Sequence, residues 1–201
     1  MNAAPLTLAA REFILGGQKS GKSRRAEALA QVWLARSAQH RAVLIATAWP
    51  ADDEMRARIA RHQADRARRV PGMTTVEAPL DLASALAAQR QPHTLVVVDC
   101  LTLWLTHWLM PPPDGALGPE QKRPPAQDWS AQSAHFFEAL ACPGGPVVLV
   151  GNEIGLGVIP LGREVRAFVD ALGTLNQQVA AACQRVTLMA AGLPLCLKDG
   201  V

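Results

Sequence analysis

The sequence predicts an α/β protein: a mostly parallel sheet between two layers of helices, with an antiparallel hairpin at its C-terminal edge. Continuous apolar runs of strand length, typical of parallel strands buried on both faces, alternate with segments of helical length. A GLP turn at residues 192–194 separates the last two runs, and it is too short for a crossover between parallel strands. A chain of 201 residues suits one such domain, and we assign residues 1–201 to it.

Seven strands are expected in chain order. They fall at residues 13–15, 43–46, 73–76, 95–98, 147–150, 186–190 and 195–197, and the run at 73–76 is the weakest. Residues 110–127 hold six of the fifteen prolines and almost no apolar periodicity, which predicts a surface loop.

Composition narrows the function classes. No apolar run is long enough to cross a bilayer, and no basic segment precedes an apolar one at the N-terminus, so we expect a cytoplasmic protein without stable membrane insertion. A net charge of +3 gives no reason to expect a nucleic-acid partner. The four cysteines are far apart and form no C-x-x-C pair, which predicts free, mostly buried thiols rather than a zinc site or disulfides.

The first expected strand leads into a phosphate-binding pattern. Gly16, Gly21, Lys22 and Ser23 match G-x-x-x-x-G-K-[ST] between a predicted strand and a predicted helix. Small residues let the backbone curl so that successive N–H groups face phosphate oxygens, while the helix N-terminus adds its positive dipole end. Lys22 would reach the β- and γ-phosphates and Ser23 would bind Mg²⁺. The fold class is therefore a P-loop NTPase-type three-layer sandwich.

An acidic residue closes the fourth expected strand. Asp99 follows the apolar run of TLVVVD, where a second carboxylate for Mg²⁺ is expected in P-loop enzymes. The alternative is that Asp99 caps the helix predicted after it.

A histidine lies among arginines on the second predicted helix. Arg58 and Arg66 are the i−4 and i+4 neighbours of His62, so the three side chains share one face. Nearby cations favour the neutral imidazole, and the same arginines can hold phosphate oxygens. A neutral histidine can attack phosphorus as a nucleophile, with Asp65 orienting the ring. The alternative is an ordinary solvated basic helix face.

A glycine-rich loop follows the fifth expected strand. Gly155 and Gly157 begin a G-x-G pattern, but Pro160 replaces the third glycine of a dinucleotide-binding motif. Ligands of open α/β sheets bind at the carboxyl ends of the strands, so this loop is a candidate substrate contact. Its candidate polar residues, together with one from the next helix, are Asn152, Glu153 and Asn176. The alternative is a structural turn with capping side chains.

Four segments together resemble the bifunctional adenosylcobinamide kinase / adenosylcobinamide-phosphate guanylyltransferases of cobalamin biosynthesis. They are LGGQKSGKSRRAE, LIATAWPADDEMRARIARHQADR, VVVDCLTLWLT and GNEIGLGVIPLGREVRAFVDALGTLNQQVAAACQRVTLMAAGLPLCLK, and they cover nearly the whole chain. A phosphate loop is shared by many families, whereas the order and spacing of all four segments are far more specific.

The resemblance implies two reactions in one P-loop domain. The enzyme would phosphorylate adenosylcobinamide with ATP or GTP, and would then transfer GMP from GTP to adenosylcobinamide phosphate through a guanylylated His62, releasing pyrophosphate. Lys22 and His62 are the implied catalytic residues, with Mg²⁺ on Ser23 and Asp99. The resemblance also implies a homo-oligomer such as a trimer. The implied nucleotide contacts are Gly16, Gly17, Gln18, Lys19, Ser20, Gly21, Lys22, Ser23, Ala46, Thr47, Ala48, Gln63, Ala64, Asp65, Glu77 and Asp99.

The chain departs from the family pattern at several positions. The loop reads GGQKSGKS where relatives carry GGARSGKS, and Arg61 stands where some relatives have a second histidine. Gly151 replaces a serine or threonine, and Val169 and Thr174 replace arginines. Two other functions compete with the bifunctional reading: a monofunctional small-molecule kinase and a non-enzymatic GTP-binding switch. The chain contains no N-K-x-D sequence, which a guanine-specific switch would be expected to have.

Overall fold

The computed structural model describes residues 6–50, 53–110 and 129–200. Seven strands form one sheet in the order β3-β2-β4-β5-β1-β6-β7. All neighbouring strands are parallel except β6 and β7, which form the antiparallel hairpin predicted at the C-terminal edge. The predicted fold class is confirmed. The strands are β1 (Arg11–Gly16), β2 (Arg41–Ala46), β3 (Met73–Glu77), β4 (Thr94–Asp99), β5 (Val147–Val150), β6 (Arg185–Ala190) and β7 (Leu193–Asp199).

Six helices are described, and five of them pack on the sheet. They are α1 (Lys22–Ala35), α2 (Asp53–Arg69), α3 (Leu82–Gln89), α4 (Leu101–Leu109), α5 (Trp129–Ala141) and α6 (Arg163–Ala182). The predicted surface loop at 110–127 lies outside the described residues except for Met110, which is exposed.

Side chains alternate across each strand and so build one apolar layer on each face of the sheet. In β1, Phe13 and Leu15 join the core formed with α3, α4, α5 and α6. Ile14 points to the other face, where Leu29 and its neighbours on α1 cover the sheet. The result is the predicted three-layer arrangement, with α1 alone on its face among the helices of the described core.

The prediction that the cysteines are mostly buried is only partly right. Cys100 and Cys183 are buried, but Cys142 and Cys196 are exposed, so the prediction of mostly buried thiols is wrong for half of them. Cys196 is exposed because it lies on β7, whose residues are all exposed at the sheet edge.

Within the described ranges no helix combines the length and the apolarity of a bilayer-spanning segment.

Candidate active site

The phosphate loop connects β1 to α1 at the carboxyl edge of the sheet. A Cβ atom on Gly16 would lie 2.4 Å from the Met189 carbonyl oxygen and 2.6 Å from Ser20 Oγ, so only glycine fits there. Gly21 has φ +103° and Lys19 has φ +56°, and these left-handed residues curl the loop before α1 begins. The curl presents the backbone as a cradle of the kind that phosphate groups occupy.

Lys22 spans the mouth of this loop. Its Nζ donates a hydrogen bond to the Gly17 carbonyl oxygen at 2.7 Å, and the residue is only 8% exposed. Burial lowers the pKa of Lys22, while the neighbouring Cys100 and Asp99 oppose that shift. The ammonium group is therefore held against the loop backbone and close to a carboxylate.

Ser23 and Asp99 meet across the sheet. Ser23 Oγ on α1 donates a hydrogen bond to Asp99 Oδ2 at 2.7 Å, although β5 separates β4, which ends at Asp99, from β1, which leads into the phosphate loop. Asp99 does not cap α4: the N-cap residue is Cys100, and no side chain caps that end. The hydroxyl and the carboxylate thus form one pair of oxygen donors beside Lys22.

The ends of β2 and β3 lie at the same level as Asp99. In the sheet register Ala46 is opposite both Asp99 and Glu77, and Glu77 is exposed. Thr47 is fully buried: its Oγ1 donates to the Cys100 carbonyl oxygen at 2.7 Å and accepts from the Cys100 N–H at 2.8 Å. Its side chain therefore ties β2 to β4, while Ala48 after it is partly exposed.

His62 lies on α2, a helix in which no residue is buried. The histidine is exposed, as are Arg58 and the following Gln63 and Ala64. Arg66, one turn further on, is partly buried. Burial lowers the pKa of Arg66, and the carboxylates that oppose this shift are Glu27 and Asp99. Arg66 is therefore close enough to Glu27 and Asp99 to feel their charges, whereas His62, one turn earlier, is exposed.

The expected orienting role of Asp65 is wrong in this structure. Asp65 accepts a hydrogen bond from Arg68 and lies 3.8 Å from Arg69 Nη2, whereas no hydrogen bond joins it to His62. The hydrogen bond from Arg68 is the main cause of the lowered pKa of Asp65. The carboxylate of Asp65 is thus paired with arginines of its own helix.

Glu27 is a residue that the sequence pattern did not single out. It is 8% exposed on α1, and its Oε2 lies 3.1 Å from Arg69 Nε on α2. Burial raises the pKa of Glu27, and Arg69 and then Arg66 oppose that shift. Glu27 is four residues after Ser23 and therefore lies on the same face of α1, a spacing that could have drawn attention to it.

The Asn-Glu loop after β5 is fastened to the phosphate loop. The Glu153 N–H donates to the Gly16 carbonyl oxygen at 3.2 Å, and the Asn152 N–H donates to Thr102 Oγ1 at 2.8 Å. Asn176 Nδ2 donates to the Asn152 carbonyl oxygen at 3.1 Å from beneath the loop. Asn176 is 6% exposed, so the structure gives it a supporting position rather than one open to a ligand.

Packing explains one of the departures from the family pattern. A Cβ atom on Gly151 would lie 2.9 Å from Phe13 Cε2, so the large ring of Phe13 occupies the space that a serine or threonine would need. Thr174 Oγ1 donates to the Asp170 carbonyl oxygen one turn earlier in α6. Nothing in the structure explains why Val169 and Thr174 replace arginines.

The chain is similar to known proteins over nearly its whole length. Residues 12–197 match the family described as cobinamide kinase / cobinamide phosphate guanyltransferase. The bifunctional adenosylcobalamin biosynthesis protein CobP of Pseudomonas aeruginosa is 43% identical over 189 residues, which cover 94% of this chain and 97% of the relative. Proteins described as bifunctional adenosylcobalamin biosynthesis protein CobU are 35% identical in Escherichia coli and 34% identical in Salmonella typhimurium, each over 92% of this chain and 98% of the relative.

Among solved structures, the flagellar accessory protein FlaH of Methanocaldococcus jannaschii aligns over 96% of this chain and 80% of its own, with 10% identity and a TM-score of 0.48. That score is too low to support an inference. The sequence relatives and the family match do not depend on it, because they extend over nearly the whole chain. The chain belongs to the cobinamide kinase / cobinamide phosphate guanyltransferase family.

Proposed function

We propose that this chain is a bifunctional transferase of cobalamin biosynthesis. It phosphorylates adenosylcobinamide with ATP or GTP, then transfers GMP from GTP to adenosylcobinamide phosphate and releases pyrophosphate. The observation that carries the proposal is the convergence of two elements on Asp99: the phosphate loop through Ser23 and Lys22, and the histidine helix through Arg66. A simple kinase would need only the phosphate loop.

In the kinase reaction the γ-phosphate lies on the phosphate loop. The loop N–H groups and the Lys22 ammonium stabilise the charge that spreads over the transferred phosphoryl group, so catalysis is chiefly positioning and electrostatic stabilisation. Lys22 suits this role because its ammonium is already held beside the loop backbone. No rearrangement of the loop is needed to bring it there.

The residues beside the loop fit a magnesium ion. Ser23 Oγ and Asp99 Oδ2, 2.7 Å apart, are hard oxygen donors, and Mg²⁺ typically takes one or two protein ligands and completes its shell with phosphate oxygens and water. Within the described ranges no three His, Cys, Asp or Glu side chains are grouped to hold a metal ion, which agrees with so sparse a protein contribution. The bound ion would neutralise phosphate charge.

In the guanylyl transfer, His62 attacks the α-phosphorus of GTP. A P–N bond forms while the bond to the pyrophosphate oxygen breaks, and the phosphate loop holds the departing pyrophosphate. A phosphate oxygen of adenosylcobinamide phosphate then attacks the same phosphorus and frees the histidine. Arg66 lies on the His62 face, where it can hold oxygens of the transferred group.

The remaining predicted contacts belong to the same proposal. The nucleoside would extend away from the loop along the carboxyl edge of the sheet, past Ala46, Ala48 and Glu77. Thr47 would contribute through its backbone, because its side-chain hydroxyl is already hydrogen-bonded to the Cys100 backbone. Gln63, Ala64 and Asp65 follow His62 on α2. Asn152 and Glu153 flank the γ-phosphate side, with Asn176 beneath them.

A homo-oligomer such as a trimer is part of the proposal, as is a cytoplasmic location, where nucleoside triphosphates are available. The segment after Glu153 supports contact with another body. Its exposed apolar side chains are Leu156, Val158, Ile159 and Leu161, each at least 77% exposed. Apolar surface of this density on a soluble domain marks an interaction site, here for the corrin ring or a second subunit. Sedimentation of the purified chain tests the oligomer directly.

The deciding experiment is incubation of the enzyme with α-labelled GTP and Mg²⁺. We expect label on the protein that is acid-labile and alkali-stable, as a phosphoramidate is, and that disappears in His62→Ala. His135→Ala is the matched control, because His135 is an exposed helix histidine on α5, away from the site. His62→Ala should retain most of the kinase activity. A His62→Ala enzyme that still makes the GDP-linked product would refute the covalent route, and a wild-type enzyme that never acquires label would favour a monofunctional kinase.

A further inference from the structure

The two proposed reactions differ in what they ask of the acceptor. The kinase acceptor is an alcohol, which must lose its proton as its oxygen attacks phosphorus. The guanylyl acceptor is a phosphate monoester, which is already deprotonated near neutral pH. Only the first reaction therefore benefits from a general base at the γ-phosphate. We propose that Glu153 is this base, an inference that rests on the proposed kinase activity.

The sheet topology places Glu153 beside the phosphate loop. Strand β5 lies between β1, which carries the phosphate loop, and β4, which carries Asp99. Val150 is opposite Asp99, the last residue of β4, on one side and Ile14 on the other, so the chain after Val150 extends past the end of β4, while β1 continues for two more residues to Gly16. Glu153 is the third residue of that extension. A side chain there lies over the junction of the two elements that hold the triphosphate and its metal.

Local hydrogen bonds fix the position of this glutamate. Its backbone N–H donates to the carbonyl oxygen of Gly16, the first residue of the phosphate loop, at 3.2 Å. Its Oε1 accepts a hydrogen bond from the Gly155 N–H at 2.7 Å, which orients the carboxylate and leaves Oε2 free to accept a proton. A Cβ atom on Gly155 would approach Oε1 to 3.1 Å, so glycine at that position keeps the carboxylate in place.

The other carboxylates near the sheet edge either make other contacts or lie too far from the phosphate loop. Asp99 accepts the hydrogen bond from Ser23, and Glu27 lies against Arg69. Glu77 ends β3, four strand positions from β1, a distance of about 19 Å at the usual strand spacing. Among the described residues no cation lies within ion-pair distance of Glu153, so no salt bridge occupies its carboxylate.

The kinase step transfers a phosphoryl group to the acceptor and a proton to the glutamate. The acceptor hydroxyl oxygen forms a bond to the γ-phosphorus as the bond between that phosphorus and the β,γ-bridging oxygen breaks. The hydroxyl proton passes to Glu153 Oε2, and the nucleoside diphosphate leaves with the electron pair of the broken bond. Glu153 returns the proton to solvent after the product departs. In the guanylyl transfer no such proton exists, and Glu153 takes no part in bond making.

The test measures the two reactions separately in Glu153→Gln, which keeps the size and the hydrogen bond to the Gly155 N–H but removes the basic oxygen. We expect kcat of the kinase reaction with adenosylcobinamide to fall by about 10²–10⁴-fold, the usual contribution of a general base, with little change in KM for ATP. Guanylyl transfer to ready-made adenosylcobinamide phosphate should fall less than tenfold. Glu153→Asp, which restores a carboxylate, should recover part of the kinase activity.

Glu138→Gln on the exposed side of α5 is the matched control and should leave both reactions unchanged. Kinase activity within tenfold of wild type in Glu153→Gln would overturn the inference, and so would an equal loss of both reactions, which indicates a structural role. Failure of the proposed function is a different result: the wild-type enzyme itself would then turn over neither adenosylcobinamide nor its phosphate.

Discussion

The two helices that flank the candidate nucleotide site, α1 and α2, are built in opposite ways. Five residues of α1 are buried, including Leu29, and the helix covers one face of the sheet. No residue of α2 is buried. Its contacts with the rest of the described chain lie near its ends, where Arg56 donates a hydrogen bond to the Pro50 carbonyl oxygen and Arg69 forms an ion pair with Glu27. The phosphate-holding helix is part of the core, whereas the histidine helix lies on the surface.

Because of this difference, the two reactions depend on different parts of the fold. Folding alone fixes Lys22 and Ser23, because the core that stabilises the domain also positions α1. The position of His62 depends on polar contacts that solvent weakens, so we expect α2 to have a lower local stability than α1. Substitutions in α1 should therefore affect both reactions and stability, while substitutions in α2 should affect guanylyl transfer alone.

The largest expected effect comes from Lys22→Ala. Both reactions place phosphates on the same loop, so we expect kinase and guanylyl transfer to fall together by about 10³-fold or more, equivalent to about 4 kcal/mol of transition-state stabilisation. Steady-state kinetics with each acceptor measures the two losses. Arg24→Ala, an exposed residue two positions further along the same helix, is the control and should cost far less. Guanylyl transfer that survives Lys22→Ala would mean that pyrophosphate leaves from somewhere other than the loop.

A matched pair of truncations compares the two helices directly. Leu29→Ala in α1 removes a fully buried side chain and should lower the free energy of unfolding by about 3 kcal/mol. Ile59→Ala in α2 removes a partly exposed side chain, and we expect a loss below about 1 kcal/mol. Urea denaturation of both variants provides the values. Equal losses would show that α2 packs against something that the isolated chain lacks, such as a second subunit.

The sequence predicts the core of this molecule better than its surface. All seven strands coincide with apolar runs. Burial on both faces explains the runs of the five inner strands, whereas the edge strands β3 and β7 are largely exposed. The phosphate loop follows from its glycines, since a Cβ atom at Gly16 has no room. The sequence places Asp99 at the end of a strand. Whether its carboxylate accepts a hydrogen bond from Ser23 or caps α4 depends on how far apart β1 and β4 lie in the sheet.

The features that could not be predicted arise from competition among charges or from contacts distant in sequence. Asp65 is three residues from both His62 and Arg68, so its spacing fits either contact, and only the structure shows the hydrogen bond from Arg68. The spacing of Glu27 places it on the Ser23 face of α1, but its contact with Arg69 depends on the fold, which brings α2 beside α1. The meaning of Gly151 depends on Phe13, which is distant in sequence and adjacent in the sheet.

The smallest expected effect concerns the contact between the two helices, and its sign matters more than its size. Glu27 faces two cations, Arg69 and Arg66, and two carboxylates, Asp99 and Asp65, but burial dominates and raises its pKa above the ordinary 4.5. A carboxyl group whose pKa is raised in the folded state stabilises the fold fully below its unfolded pKa, and that contribution is lost as pH rises through the folded value.

Glu27→Gln, which resembles the protonated acid at every pH, lacks this dependence. The free energy of unfolding of wild type minus that of the variant should therefore fall as pH rises from about 4 to 7, by well under about 1 kcal/mol. Urea denaturation across this range measures the difference. A difference that instead grows with pH would mean that the ion pair with Arg69 outweighs the cost of burial. In that case the histidine helix would be held to the phosphate helix by charge, and Arg69→Ala should slow guanylyl transfer without slowing the kinase.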